Sequence, residues 1–198
     1  MQGITLLILS FISTYVISKN TNLKPVVNYD NNFEYLPLVT SNLYADLLII
    51  LITFTGVLGT GKSWEVLSIW YKKYRLSAMM ADVLIGVLYL MAARYIVFKN
   101  NLELDLFEFG VLAVVIQIIL DYLFFLFFTS IPDKQNDMLD LFKDWAKHAG
   151  IDALWGDSIL VLVGVVLSSY LNKQDFNTNI FYLIFGLYLT PYIIHMKD

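Results

Sequence analysis

Five polar side chains interrupt the most apolar stretches of this sequence: Asp82, Arg94, Gln117, Asp121 and Asp157. In lipid, an ionisable group at mid-span costs about 2.5–3.5 kcal/mol on insertion scales, so it faces a bundle interior or water and takes a partner. Their spacing is regular. Gly110, Ala113, Gln117 and Asp121 follow steps of three and four, as do Ala78, Asp82, Gly86, Tyr89 and Ala93, and Asp157, Val161, Gly164 and Ser168. Each set makes one small, polar stripe on a helix, and small residues along a stripe let helices approach closely in lipid. Clustered carboxylates of this kind could share protons or bind a cation jointly. The alternative is structural: they accept hydrogen bonds from Ser77, Ser158, Tyr89, Tyr122 or helix N-termini, and this is the expectation adopted. Arg94 lies toward the other end of its stretch, at the depth expected for Asp46, so an Asp46–Arg94 ion pair is anticipated.

Two catalytic motifs are approximated. Gly56-Val57-Leu58-Gly59-Thr60-Gly61-Lys62-Ser63 fits the phosphate-binding pattern G-x-x-x-x-G-K-[ST]. That loop works between a strand and a helix of a parallel sheet, with an acidic residue for Mg²⁺, and the flanking sequence offers apolar spans instead. No nucleotide is expected. Trp155-Gly156-Asp157-Ser158 resembles the Gly-x-Gly-Asp motif of intramembrane aspartyl proteases, but Leu154 replaces its first glycine. The two histidines, His148 and His195, are far apart in sequence, and there is no cysteine. Thiolate chemistry and disulfides are thereby excluded. Neither a metal, a cofactor nor a catalytic residue is assigned, and the chain is not expected to be an enzyme.

The elements that must position these groups follow from composition. Of 198 residues 58% are hydrophobic and 15% charged, against about 45–50% and about 25% in soluble domains. The net charge of -4 and the lack of a long basic run give no sign of nucleic-acid binding. A bilayer core needs roughly 20 mostly apolar residues per helix. The sequence predicts an all-α polytopic bundle forming a single membrane domain over 1–198, with spans at about 3–18, 43–60, 76–98, 107–131, 153–171 and 179–195. The first segment lacks a basic n-region and an A-x-A-like site, so it is read as a retained anchor. Residues 20–42, rich in Asn and containing Pro25 and Pro37, are expected to form an irregular loop.

Two connecting segments have the pattern of interfacial helices. In 138–149, Met138, Leu141, Phe142, Trp145 and Ala149 recur at helical spacing, with Asp140, Lys143, Asp144, Lys147 and His148 opposite. Asp133 or Asn136 is available to cap its start. Residues 64–75 mix Trp64, Trp70, Tyr71 and Tyr74 with Lys72, Lys73 and Arg75, an aromatic-belt composition. With six spans, Lys62, Lys72, Lys73, Arg75, Lys134, Lys143, Lys147 and Lys197 share one side, and Lys19, Lys24, Lys99 and Lys173 the other. The positive-inside rule then puts both termini and both basic loops in the cytoplasm. At 1.5 Å per residue, Asp157, Asp82 and Asp121 lie about 6, about 9 and about 15 Å inside the cytoplasmic ends of their helices.

Residues 74–171 resemble a group of multi-span membrane proteins of large nucleocytoplasmic DNA viruses of algae and protists. The likeness is carried by Tyr74-Arg75-Leu76-Ser77-Ala78, Ala81-Asp82-Val83-Leu84, Ala93-Arg94-Tyr95 and Gln117-Ile118-Ile119-Leu120-Asp121. Phe142-Lys143-Asp144-Trp145-Ala146-Lys147 and Gly156-Asp157-Ser158 add to it. The resemblance implies a structural protein of the lipid membrane beneath an icosahedral capsid, in the virion or in host endomembranes. Its partners would be the bilayer, other membrane or capsid proteins, or a second copy of the chain. A small proton or cation channel or carrier built on Asp82, Asp121 and Asp157 is the competing expectation, and an intramembrane enzyme the third.

Overall fold

Every described helix that carries a lipid-length apolar run keeps large hydrophobic side chains on its outer surface, including Leu84 and Leu88, Ile119 and Leu123, and Phe181 and Ile184. A soluble monomer rarely exposes contiguous apolar area on this scale. The computed structural model of the protein describes residues 2–56, 62–149 and 151–196. These form eight α-helices: α1 Gln2–Asn20, α2 Tyr35–Thr55, α3 Lys62–Tyr74, α4 Leu76–Lys99, α5 Leu106–Ser130, α6 Asp137–Ala149, α7 Ile151–Leu171 and α8 Phe176–Ile194. A short 3₁₀ helix, Asn32–Glu34, leads into α2. The fold is an all-α bundle, with no strand among the described residues.

Five helices are long and apolar enough to cross a membrane: α1, α2 with its 3₁₀ lead-in, α4, α5 and α7. Six were expected. The difference falls on α8, which has Asn177, Thr178 and Asn179 in its first turn and Thr190 and Pro191 near its end. α8 nonetheless packs along α2, with the Tyr44 hydroxyl donating to the Tyr182 carbonyl at 2.9 Å.

Local signals set most boundaries. Asp105 and Glu108 form a capping box at the start of α5, with Glu108 N–H donating to Asp105 Oδ1 at 2.9 Å and Asp105 N–H to Glu108 Oε2 at 2.8 Å. Asp175 accepts from Thr178 N–H to start α8. Gly56, at φ 63°, closes α2 in the left-handed conformation that glycine adopts without steric penalty. Arg75, at φ 51°, makes the corner between α3 and α4.

The Asn-rich segment differs from its expected irregular form over 32–42, which is helical. Pro37 read as a loop marker, but it occupies the first turn of α2, where no intrahelical donor is required of it. α2 consequently begins eight residues before the expected start at 43 and becomes the centre of the bundle, packed on α7, α8 and α4. Leu38, Leu90, Ala93, Phe109, Leu162 and Val165 form the core toward one end; Leu43, Ile50, Tyr71, Met79 and Ile194 form it toward the other.

The two amphipathic segments lie together at one end, α3 against α6. Tyr74 donates its hydroxyl to the Asp137 carbonyl at 2.6 Å. Asn136 caps α6, accepting from Met138 and Leu139 N–H. Phe142 packs edge-on against Phe128 of α5 at 5.3 Å and touches Trp145, so part of the apolar face of α6 covers the end of α5. Lys147 is exposed, but Lys143 is only 7% exposed, contrary to its expected place on the wet face. It reaches back to the Ile131 carbonyl at 2.5 Å and Asp133 at 2.9 Å, satisfying an acceptor that the end of α5 leaves open. The side chains of His148 and Ala149 lie outside the described set.

Candidate functional site

The polar stripes face inward. Ala78, Tyr89 and Ala93 of α4, Gly110, Ala113 and Gln117 of α5, and Val161, Gly164 and Ser168 of α7 are all buried. Asp82, Asp121 and Asp157 are half-buried on those stripes. α4, α5 and α7 touch one another, and α2 fills the space between α4 and α7.

Each carboxylate but one is held by neutral donors from another helix. Tyr89 of α4 donates its hydroxyl to Asp121 Oδ1, and Gln117, one turn earlier on α5, donates its amide to Asp121 Oδ2. The Ser158 hydroxyl of α7 lies 2.7 Å from Gln117 Oε1 and 2.8 Å from the Leu154 carbonyl, and its single hydrogen serves one at a time. α4, α5 and α7 are thus linked through one polar chain. Asp157 immediately precedes Ser158 in sequence and lies within electrostatic range of Asp121 and Asp82.

A second pair forms where α3 folds back on the bundle. Tyr71 donates to Asp46 Oδ1 of α2 at 2.7 Å, and Trp70 Nε1 donates to Asp82 Oδ2 of α4 at 3.0 Å. Asp46 is 2% exposed, and its Oδ2 is buried with no hydrogen-bond partner among the described residues. Asp46 and Asp82 interact electrostatically. The four acids therefore form a broken line through the α3 end of the bundle: Asp46, Asp82, Asp157, Asp121.

The anticipated Asp46–Arg94 pair does not form. Arg94 is fully buried and pairs with Glu34 at 3.1 Å, donates to the Asn28 carbonyl at 2.6 Å, and lies over the Tyr35 ring at 5.0 Å. Because α2 starts at Tyr35, Asp46 lies about 16 Å along it from that start, whereas Arg94 is about 8 Å from the end of α4. Glu34 closes the gap with the connecting segment, accepting from Asn28 N–H at 3.0 Å. A Glu just before a helix beginning with Tyr-Leu-Pro is the available signal, masked by the loop-like composition of residues 20–42.

Of the donors foreseen for the acids, Tyr89 serves Asp121 and Ser158 serves Gln117, while Tyr122 is 61% exposed on the outer surface. Trp70 and Tyr71 have the composition of interface anchors. Their spacing alone could not show that α3 turns back over the acids.

The phosphate-loop lookalike begins at the C-cap of a helix rather than after a strand, and residues 57–61 of it lie outside the described residues. Among the described residues no group of three or more His, Asp or Glu side chains is arranged to hold a metal ion. Comparison with protein-family models, curated proteins and solved structures finds no match.

Proposed function

We propose that this chain is a structural integral membrane protein, and that its buried acids are acceptors that fix helix pairs. The observation that carries this is the pattern of bonds: Asp46, Asp82 and Asp121 each receive a neutral donor from a different helix. Interhelical hydrogen bonds of this kind contribute about 0.6–2 kcal/mol each in lipid. They lock α2, α3, α4 and α5 in register, and the Gln117–Ser158 bond adds α7. The α3–α6 end carries the excess of Lys and Arg and is the cytoplasmic face, where it meets a soluble protein layer. On the resemblance of residues 74–171, that layer is the capsid or core of a large DNA virus and the membrane is the particle's internal one.

One observation favours a second function, a proton or cation carrier. Asp46 has a buried oxygen with no partner among the described residues and interacts electrostatically with Asp82, as Asp157 does with Asp82 and Asp121.

Asp121 separates the two. Under the scaffold proposal Asp121→Asn keeps one acceptor for two donors and costs about 1–2 kcal/mol. Asp121→Leu strands Tyr89 and Gln117 and costs more. Both variants and the parent should show no proton-driven flux in liposomes, and the Asn variant should still enter purified particles at the parental ratio. Flux by the parent that disappears in Asp121→Asn would establish the carrier instead.

A further inference from the structure

At the end of the bundle opposite α3 and α6, a cleft of about 250 Å³ opens between the entry to α2 and the turn joining α7 to α8. On one side it is lined by Asn31, Phe33, Leu36 and Pro37, on the other by Asn172, Gln174, Phe176 and Asn179. Four of these eight are carboxamides, and none of the lining side chains is charged. Phe33 and Phe176 are 70% and 52% exposed and meet edge to face at 5.7 Å on the rim.

Asn179 is 3% exposed and held rigidly. Its Nδ2 is directed at three backbone carbonyls, Leu171 at 2.9 Å, Asp175 at 3.2 Å and Gln174 at 3.3 Å. The Oδ1 of the same amide is buried with no donor among the described residues. A buried acceptor left unmet is costly. The Gln174 side chain, half-buried in the same wall, makes no hydrogen bond to a described residue, and Asn172 reaches Glu34 only at 3.4 Å.

A carboxamide offers a donor and an acceptor side by side, which matches a hydroxyl that both gives and receives. Neutral amides select against an ionic ligand, since nothing there would compensate a buried charge. Exposed aromatic rings present apolar faces to the C–H side of a ring whose hydroxyls point inward. The cleft is smaller than the roughly 300–1,000 Å³ of drug-sized sites, a size suited to one such ring. We propose that this cleft binds a neutral, hydroxyl-rich ring of the hexose type, with Gln174 and Asn172 taking the hydroxyls and the Phe33–Phe176 pair covering one face of the ring. Phe33 and Phe176 stand at the first turns of the α2 lead-in and of α8, at the end of the bundle opposite α3 and α6. The ring therefore comes either free from solution or as the headgroup of a glycolipid.

The test uses the full chain in phosphatidylcholine nanodiscs, titrated with methyl glucoside, and in parallel nanodiscs containing monoglucosyl diacylglycerol. Binding is read by saturation-transfer NMR for the free sugar and by competition for the glycolipid. Gln174→Ala removes no hydrogen bond to a described residue and should leave the melting temperature unchanged, and Phe176→Ala gives up only the rim contact with Phe33 and should lower it by no more than a few degrees. Saturable binding in either arm, weakened at least tenfold by both substitutions, supports the site, and the responding arm identifies the source. Absence of saturable binding in both arms, or binding indifferent to the two substitutions, overturns it.

Discussion

Asn42 of α2 is wedged between two glycines of neighbouring helices, and that contact sets how closely α2, α4 and α7 approach. A Cβ placed on Gly86 would fall 2.3 Å from Asn42 Oδ1 and 3.2 Å from its Cγ. A C···O contact is comfortable at about 3.3 Å or more, so roughly 1 Å of movement is required. Asn42 has little freedom to supply it. It is 6% exposed, and its Nδ2 is bonded to the Leu38 carbonyl at 2.8 Å. Gly86→Ala should therefore destabilise the protein by about 1–3 kcal/mol through overpacking, despite the gain of up to about 1 kcal/mol that Ala brings to a helix interior. Gly164→Ala is the internal control. Its Cβ would sit 3.3 Å from the same oxygen, close to an ordinary contact, so the two effects should nearly cancel. Asn42→Ala removes the obstructing amide, and the Asn42→Ala, Gly86→Ala double variant should be more stable than the sum of the singles by about 1–2 kcal/mol. Reversible unfolding in mixed micelles, followed by tryptophan fluorescence against denaturant, measures all four corners of the cycle. A Gly86→Ala protein as stable as the parent, or a cycle that closes additively, would falsify the wedge.

Three further outcomes follow from the same geometry. Arg94→Met should cost about 3–5 kcal/mol by leaving Glu34 buried without its cation. The Arg94→Met, Glu34→Gln pair should be less damaged than Arg94→Met alone, and equal damage in thermal melts would argue against the ion pair. Tyr71→Phe removes the donor to Asp46 Oδ1, at about 1–3 kcal/mol for a buried acceptor left unmet. It should loosen α3, so that a cysteine placed at Ser68 reacts faster with a maleimide, and an unchanged rate would show that α3 is held by other contacts. Asp105 is held below the usual carboxylate range by its bond to Lys19 and by the Glu108 N–H. Its contribution is present above its unfolded value of about 4 and is lost as pH falls through the lowered folded one. Asp105→Ala should cost about 1 kcal/mol at neutral pH, and the gap to the parent should narrow in melts taken at progressively lower pH. A gap that widens on acidification would contradict the capping role.

Helix identity was legible because it rests on local quantities. Apolar run length gave the helices of α1, α4, α5 and α7, and periodicity gave α3, α6 and the inward faces bearing Ala78, Gln117 and Ser168. Those signals survive because, in lipid, a backbone segment must satisfy its own hydrogen bonds whatever its neighbours do. Partner choice was not legible. That Asp46 meets Tyr71 and Arg94 meets Glu34 depends on where α2 begins, and Pro37 in a first turn cannot be told by sequence from Pro37 in a loop. Trp70 and Tyr71 have the composition of interface anchors, and only the sharp corner at Arg75 turns them back onto Asp82 and Asp46. Likewise the cleft at the far end joins residues 31–37 to 172–179, two segments with no pattern in common. Periodicity says which face of a helix is buried, because that is a property of one element. Which side chain waits on the other side is decided by the angles and offsets between elements, and those exist only once the chain has packed.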